Sequence, residues 1–343
     1  MANSPPTPVP PASPGMRRRG FLAAGLVGLG AVAAPAAAGL RTSLGGGALR
    51  VGDTVDEHNP EVVSEKYFLT RLNALTGGKL TGHVYPNGVL GSHDRMNEQL
   101  RNGTLEVAKS SMANLEVYDR RLGIFALPYA FTDRTSLYAA QDGELGKRLG
   151  AILERKGLRL LGWFDSGERN IYNTKRPLHE PGDIRGLKIR VQSNQIMIDT
   201  FNTLGAQATP VETNQIYSAL QQGVVDAAEN SLTFYVQQHH NEVAKYYSYT
   251  RHFYSVDPLL VSDQWFRSQS ASHQDAILRA GHEAQQHERE LWVRSDAEYL
   301  KTAQGSGSHV NEADTEAFRR AVAGVYTRHK ATFGSLLQLT DWR

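Results

Sequence analysis

No cysteine occurs in the 343 residues. That absence excludes disulfides, zinc–thiolate sites, cysteine nucleophiles and a lipid-anchored N-terminal cysteine. A surplus of charge is also missing: 37 Lys and Arg stand against 35 Asp and Glu. Three of the basic residues are Arg17, Arg18 and Arg19, and no acidic residue precedes Leu40. Without residues 1–38 the balance is 34 basic to 35 acidic, so no basic footprint for nucleic acid is present. Beyond the first forty residues there is no apolar run of membrane-spanning length. No internal repeat of fixed period is found, and no catalytic motif survives inspection. His282 and His287 mimic a zinc helix, but five residues rotate the second ring about 140° off the first. His239-His240 reads as a polar pair on a helix surface. No metal and no cofactor are expected. Hydrophobic residues at 40% and charged residues at 21% are ordinary globular values, which rules out wholesale disorder.

What is present begins with a leader. A Pro/Ser-rich tract to Gly15 precedes Arg17-Arg18-Arg19, then Phe21-Leu22 and an Ala/Gly/Leu/Val stretch to Ala34. Ala34-Pro35-Ala36 and Ala36-Ala37-Ala38 both fit an A-x-A cleavage site, and Met16 is an alternative start. This order is that of an export signal. The spacing Arg18-Arg19-x-Phe21-Leu22 resembles a twin-arginine signal, with a Sec signal or an uncleaved anchor as the alternatives. The expectation is a periplasmic protein whose residues 1–38 are removed.

The remainder alternates strand and helix. Ala48–Val55, Lys79–Tyr85, Leu105–Ser110, Leu158–Phe164, Leu187–Val191 and Val224–Ala228 read as strands. Pro60–Leu75, Ser92–Arg101, Asn194–Leu204, Thr213–Gln222, a long helix from Ser272 to Ala303, and Asn311–Phe333 read as helices. The pattern predicts an α/β fold with mainly parallel pairing. Such sheets bind ligands beyond the carboxyl ends of their strands, which singles out Ser111, Asn114, Arg169, Arg190, Gln192 and Asn230. In the strand holding Leu187, Ile189 and Val191, Arg190 faces the other side. There it either forks onto a carboxylate in a cleft or forms a surface ion pair. Asn230 is either a ligand-reading amide or a helix cap, and Trp163 reads as core.

Longer motifs join these pieces. Asp165-Ser166-Gly167-Glu168-Arg169-Asn170-Ile171-Tyr172 precedes Asp183-Ile184-Arg185-Gly186-Leu187-Lys188-Ile189-Arg190-Val191-Gln192. Gly205 to Pro210, Ile216 to Gly223 and Val225-Asp226-Ala227-Ala228-Glu229-Asn230 follow, with Leu90-Gly91 and Phe125 to Tyr129 upstream. In this order the chain, from about Ala48 to its end, resembles the solute-binding subunit of tripartite ATP-independent periplasmic (TRAP) transporters. The resemblance implies a two-lobed α/β fold of periplasmic binding protein type II, with a ligand cleft between the lobes and a long C-terminal connecting helix. It implies lobes at 48–166 with 256–295, and at 167–255 with 296–343. It implies no catalysis, a monomer, a small organic acid as ligand, and TRAP membrane subunits as transient partners.

The family's carboxylate-gripping arginine matches Arg190, its second cleft arginine Arg169 and its cleft asparagine Asn230. His58, His93, Ser111, Asn114, Gln192, Thr213 and His252 match further ligand-binding positions. Asp165 to Tyr172 with Ala227 to Asn230 is most similar to members that bind sugar acids such as D-glucuronate or D-galacturonate. His93 stands where those members carry Glu, and Thr213 where they carry an aromatic residue. A keto acid, dicarboxylate, aldonate or sialate remains the alternative ligand. An enzyme acting on acidic sugars and a sensor subunit remain alternative roles.

Overall fold

The computed structural model describes residues 48–342. The leader reading falls on residues 1–38, outside them. Among the described residues no helix is long and apolar enough to cross a membrane.

Local signals set the first elements. Asn59 caps the helix Pro60–Leu75 by accepting from the Glu61 N–H, with Pro60 at the first position. Ser92 does the same for His93–Arg101, accepting from the Arg95 N–H. Among the described residues nine strands form one sheet: β1 (Leu49–Gly52), β2 (Gly82–Tyr85), β3 (Val107–Lys109), β4 (Leu158–Asn173), β5 (Lys188–Val191), β6 (Gln207–Pro210), β7 (Ala227–Asn230), β8 (Tyr246–Ser262) and β9 (His309–Glu312). Their order is β2-β1-β3-β8-β4-β7-β5-β6, with β9 beside β8.

Five of the eight strand pairings are parallel, as expected, and three are antiparallel, so the sheet is mixed. Parallel pairs occur within each lobe, β1 with β2 and β3, β5 with β6 and β7, and β8 with β9. The long strands β4 and β8 run antiparallel to each other, and each also makes an antiparallel pair inside one lobe. The β3 edge of β8 is engaged at Leu259–Val261, whereas β9 binds its opposite end at Tyr246–Tyr249. One pair of strands therefore serves both lobes.

Their register slips between Asp165 and Glu168. Asp165 Oδ1 accepts from the Gly167 N–H at 2.7 Å, while its Oδ2 receives Arg134 Nε at 2.9 Å and Tyr138 Oη at 2.6 Å. Gly167 has φ +87°, and a Cβ there would lie 2.6 Å from Ser231 Cβ and 2.9 Å from the Trp292 ring. The helix Ala271–Gly305 packs along β4 on the small residues Gly162 and Gly281. Its Gln285 and Glu288 accept from the Trp163 and Asp165 N–H groups.

Three segments differ from the sequence expectation. β4 continues to Asn173 rather than ending at Phe164, because Asp165 and Gly167 build a bulge instead of a turn. The Asn311–Phe333 helix is instead β9 followed by the helices Thr315–Ala321 and Ala323–Phe333. β8 was not anticipated at all. His240 is buried rather than on a surface, with its Nδ1 2.7 Å from Tyr172 Oη.

Candidate functional site

Between the lobes lies a narrow cavity, lined from one side by Arg190, Gln192, Thr213, Asn230 and Phe234 and from the other by Thr54, Val55, His93, Lys109 and Asp257. Ser166 and Arg169 line it at the strand crossing. A second space of about 270 Å³ shares Arg169 and Gln192 and continues toward Phe125, Met197 and Phe253. A third, of about 400 Å³, shares Thr54, His93 and Thr213 and continues to Gly88 and Glu212.

Arg190 is 2% exposed. Its Nε donates to Val211 O at 2.8 Å and one terminal nitrogen to Thr213 Oγ1 at 3.4 Å, both neutral acceptors. Among the described residues it forms no ion pair. Burial pulls its pKa down to about 10; Glu229 resists this, and the like charge of Arg169 adds to it. A buried guanidinium without a carboxylate is costly, and an anion that enters beside it relieves that cost.

Arg169 is equally buried but matched. Its Nε and a terminal nitrogen reach the two Glu229 carboxylate oxygens at 2.6 and 2.7 Å, a bidentate fork. Its other terminal nitrogen donates to Asn230 Oδ1 at 3.1 Å and Ser255 Oγ at 3.4 Å. Burial works to raise Glu229, yet the Arg169 charge and the His252 contact hold it below the usual carboxylate range. Asn230 Oδ1 also accepts from the Ser231 N–H at 2.8 Å, which leaves its amide N–H groups for a guest.

The opposite wall carries a buried charge cluster. Lys109 Nζ lies 3.1 Å from Asp53 Oδ1, 3.1 Å from Glu61 Oε2 and 3.2 Å from Asp257 Oδ2. Burial pushes Glu61 and Glu65 behind it well above the usual range. His93 Nε2 is 3.1 Å from Thr54 Oγ1, and burial, then the Lys109 charge, lowers the imidazole to about 3, so it is neutral.

Residues 51–332 match the family model of DctP, the bacterial extracellular solute-binding proteins of family 7. The chain belongs to this family. A solute-binding protein of Chromohalobacter salexigens is 33% identical over 252 residues, 73% of this chain and 75% of its own. The crystal structure of a TRAP periplasmic solute-binding protein from Sulfitobacter sp. NAS-14.1, with bound β-D-galacturonate, superposes at TM-score 0.83 with 32% identity, covering 85% of this chain and 99% of that one. Another, from Roseobacter denitrificans with bound β-D-glucuronate, gives TM-score 0.83 and 30% identity over 85% and 98%. The two-lobed fold is thus shared.

In this DctP-family chain the structure brings Arg190, Arg169, Asn230, His93, Gln192 and Thr213 to one cavity, and Ser111 to the adjoining one. Gln192 Nε2 donates to Ser111 Oγ at 3.2 Å across the lobes. Three residues named from the sequence do not line these spaces. His58 sits in an exposed turn, 3.8 Å from its neighbour Glu57. Asn114 donates to Asp94 at the surface, held there by the short helix Met112–Leu115. His252 is buried behind the wall, 3.4 Å from Glu229, where it steadies the partner of Arg169.

Sequence reasoning missed Lys109, Asp257 and Glu229. Lys109 and Asp257 interrupt apolar strand runs, which is the one signal that pointed to buried charge. Glu229 lay inside a quoted motif, but only the β4–β7 pairing sets it beside Arg169.

Proposed function

We propose that this protein captures a sugar acid such as D-glucuronate or D-galacturonate. Arg190 forks onto the carboxylate, the Asn230 amide donates to an adjacent oxygen, and His93 and Ser111 read hydroxyls from the other lobe. The lobes, 48–166 with 256–295 and 167–255 with 296–343, close about the bulge at Ser166-Gly167. The loaded form is handed to TRAP membrane subunits. Residues 1–38 export the chain to the periplasm and are removed. It acts as a monomer, without catalysis, cofactor or nucleic acid. The observation that carries this reading is the buried, carboxylate-free guanidinium of Arg190 in an interlobe cavity. The uronates bound by the Sulfitobacter and Roseobacter proteins support the choice of acid.

A thermal-shift screen of the purified protein tests it. Ligand at ~100 times its dissociation constant adds roughly 2.7 kcal/mol, a shift of several degrees. A shift with a uronate supports the reading, and no shift with any carboxylate refutes it. A different organic acid is the second reading. It is favoured by Thr213 itself, a small side chain at the cleft position where the uronate-binding members carry an aromatic residue. A keto acid, aldonate or sialate that shifts the protein when uronates do not would establish it.

A further inference from the structure

The two ends of the cavity carry opposite electrostatics. Arg190 is the cation without a matching carboxylate. Arg169 is cancelled by Glu229. At the far end Lys109 meets Asp53, Glu61 and Asp257, so three carboxyl groups surround the one cation of that wall. Lys109 Nζ has three carboxyl neighbours within 3.2 Å and donates to Asp257 Oδ2.

Two acceptor-capable atoms at this end are idle. Asp257 is 5% exposed; its Oδ2 holds Lys109 while its Oδ1 is buried with no hydrogen-bond partner. His93 is 7% exposed, and its Nδ1 is likewise buried and unpartnered. Both side chains line the cavity that Arg190 lines. An orphaned buried acceptor is costly unless a donor from the guest reaches it.

We infer that Asp257, with His93 beside it, is the specificity-determining end of the site: it accepts a hydroxyl of the ligand and rejects a second carboxylate, restricting the protein to hydroxylated monocarboxylates. This rests on the Arg190 reading and narrows it. A dicarboxylate would set its second anion against Asp257 and Asp53, and like charges so placed cost several kcal/mol. A hydroxyl donates to Oδ1 and satisfies it. Asp257 lies on β8 in the first lobe and Arg190 on β5 in the second, so one guest touching both ties the lobes together.

Titration calorimetry on the purified protein tests this with D-glucuronate, D-galacturonate, D-gluconate and D-galactonate against D-glucarate, galactarate, L-malate and succinate. The tightest ligand should be a hydroxylated monocarboxylate, with every dicarboxylate at least about 30-fold weaker. Asp257→Asn keeps the shape and removes the charge. It should weaken the monocarboxylate at least tenfold and narrow the ratio to the matching dicarboxylate by about the same factor. A dicarboxylate inside the 30-fold ratio, or an unchanged ratio in Asp257→Asn, overturns the inference. If that variant does not fold, the wild-type ratio alone decides. Failure of the underlying reading shows differently: Arg190→Ala would then retain full affinity for whichever acid binds.

Discussion

Arg190 and Arg169 illustrate how two buried guanidiniums take different roles. Both are almost fully enclosed, yet one has a carboxylate fork and the other has a carbonyl and a hydroxyl. Arg190→Ala should weaken ligand binding by about 2–5 kcal/mol, or roughly 30-fold to several thousand-fold, because it leaves the ligand carboxylate buried and unpaired. Arg190→Lys should recover little of this, since a point charge cannot reproduce the planar fork. Calorimetry with the bound acid measures both, and full affinity in either refutes the assignment. Glu229→Gln acts on the fold instead. It strands the Arg169 charge in the interior and should cost about 3–5 kcal/mol of stability without ligand. Urea unfolding reads this; a loss below about 1 kcal/mol would mean that Arg169 does not depend on Glu229.

At the scale of elements, β4 and β8 do what separate strands cannot. Each enters both lobes, and their pairing slips at three places, one of them the Asp165–Glu168 bulge. Asp165 and Gly167 shape that bulge through a side-chain cap and a left-handed backbone. Gly167→Ala combines a strained φ of +87° with a Cβ driven into Ser231 and Trp292. It should cost about 1–3 kcal/mol. Thermal unfolding checks this. An unchanged midpoint would show that the crossing has room to give.

For the whole molecule, closure and pH are the testable properties. Asn194 Nδ2 donates to Ala113 O at 3.1 Å and Glu116 Oε2 at 2.5 Å across the lobes; Ala113 lines the adjoining space, whereas Asn194 and Glu116 line neither space. Asn194→Ser can still cap its helix but loses these bonds. It should lower ligand affinity several-fold by depopulating the closed form, without touching ligand. Equal affinities by calorimetry would refute a closure role. The pH dependence has two opposed parts. Burial, with Arg190 and His239 adding to it, lowers His240 from 6.5 to about 3. It therefore contributes stability that is full above pH 6.5 and is lost as pH falls toward 3. Glu61, Glu65 and Glu288 are raised by burial, so their contribution is full below 4.5 and is lost as pH rises through their folded values. His93 is lowered in the same way and adds to the first part; His240→Gln removes the His240 share alone. Its urea midpoint should therefore fall less than that of the wild type between pH 6.5 and 4, and parallel curves would sink the argument.

The sequence by itself determined the family, the two-lobed α/β fold and the short elements whose caps lie within a few residues, such as Asn59 with Pro60 and Ser92 before His93. It also singled out Arg190, because alternation along one strand is a local property. Only the tertiary structure decided what surrounds each charge. The Glu229 partner of Arg169 comes from a strand sixty residues away, and the Asp257 partner of Lys109 from one still farther along. β8 escaped detection because its first half, Tyr246 to Tyr254, mixes polar and aromatic residues that read as surface. Tyr247, Ser248, Thr250, His252 and Phe253 are nonetheless buried there, and β9 pairs along Tyr246 to Tyr249. Whether a charge is matched is set by long-range packing, and in this protein that difference separates Arg169, forked onto a carboxylate, from Arg190, which has only neutral acceptors.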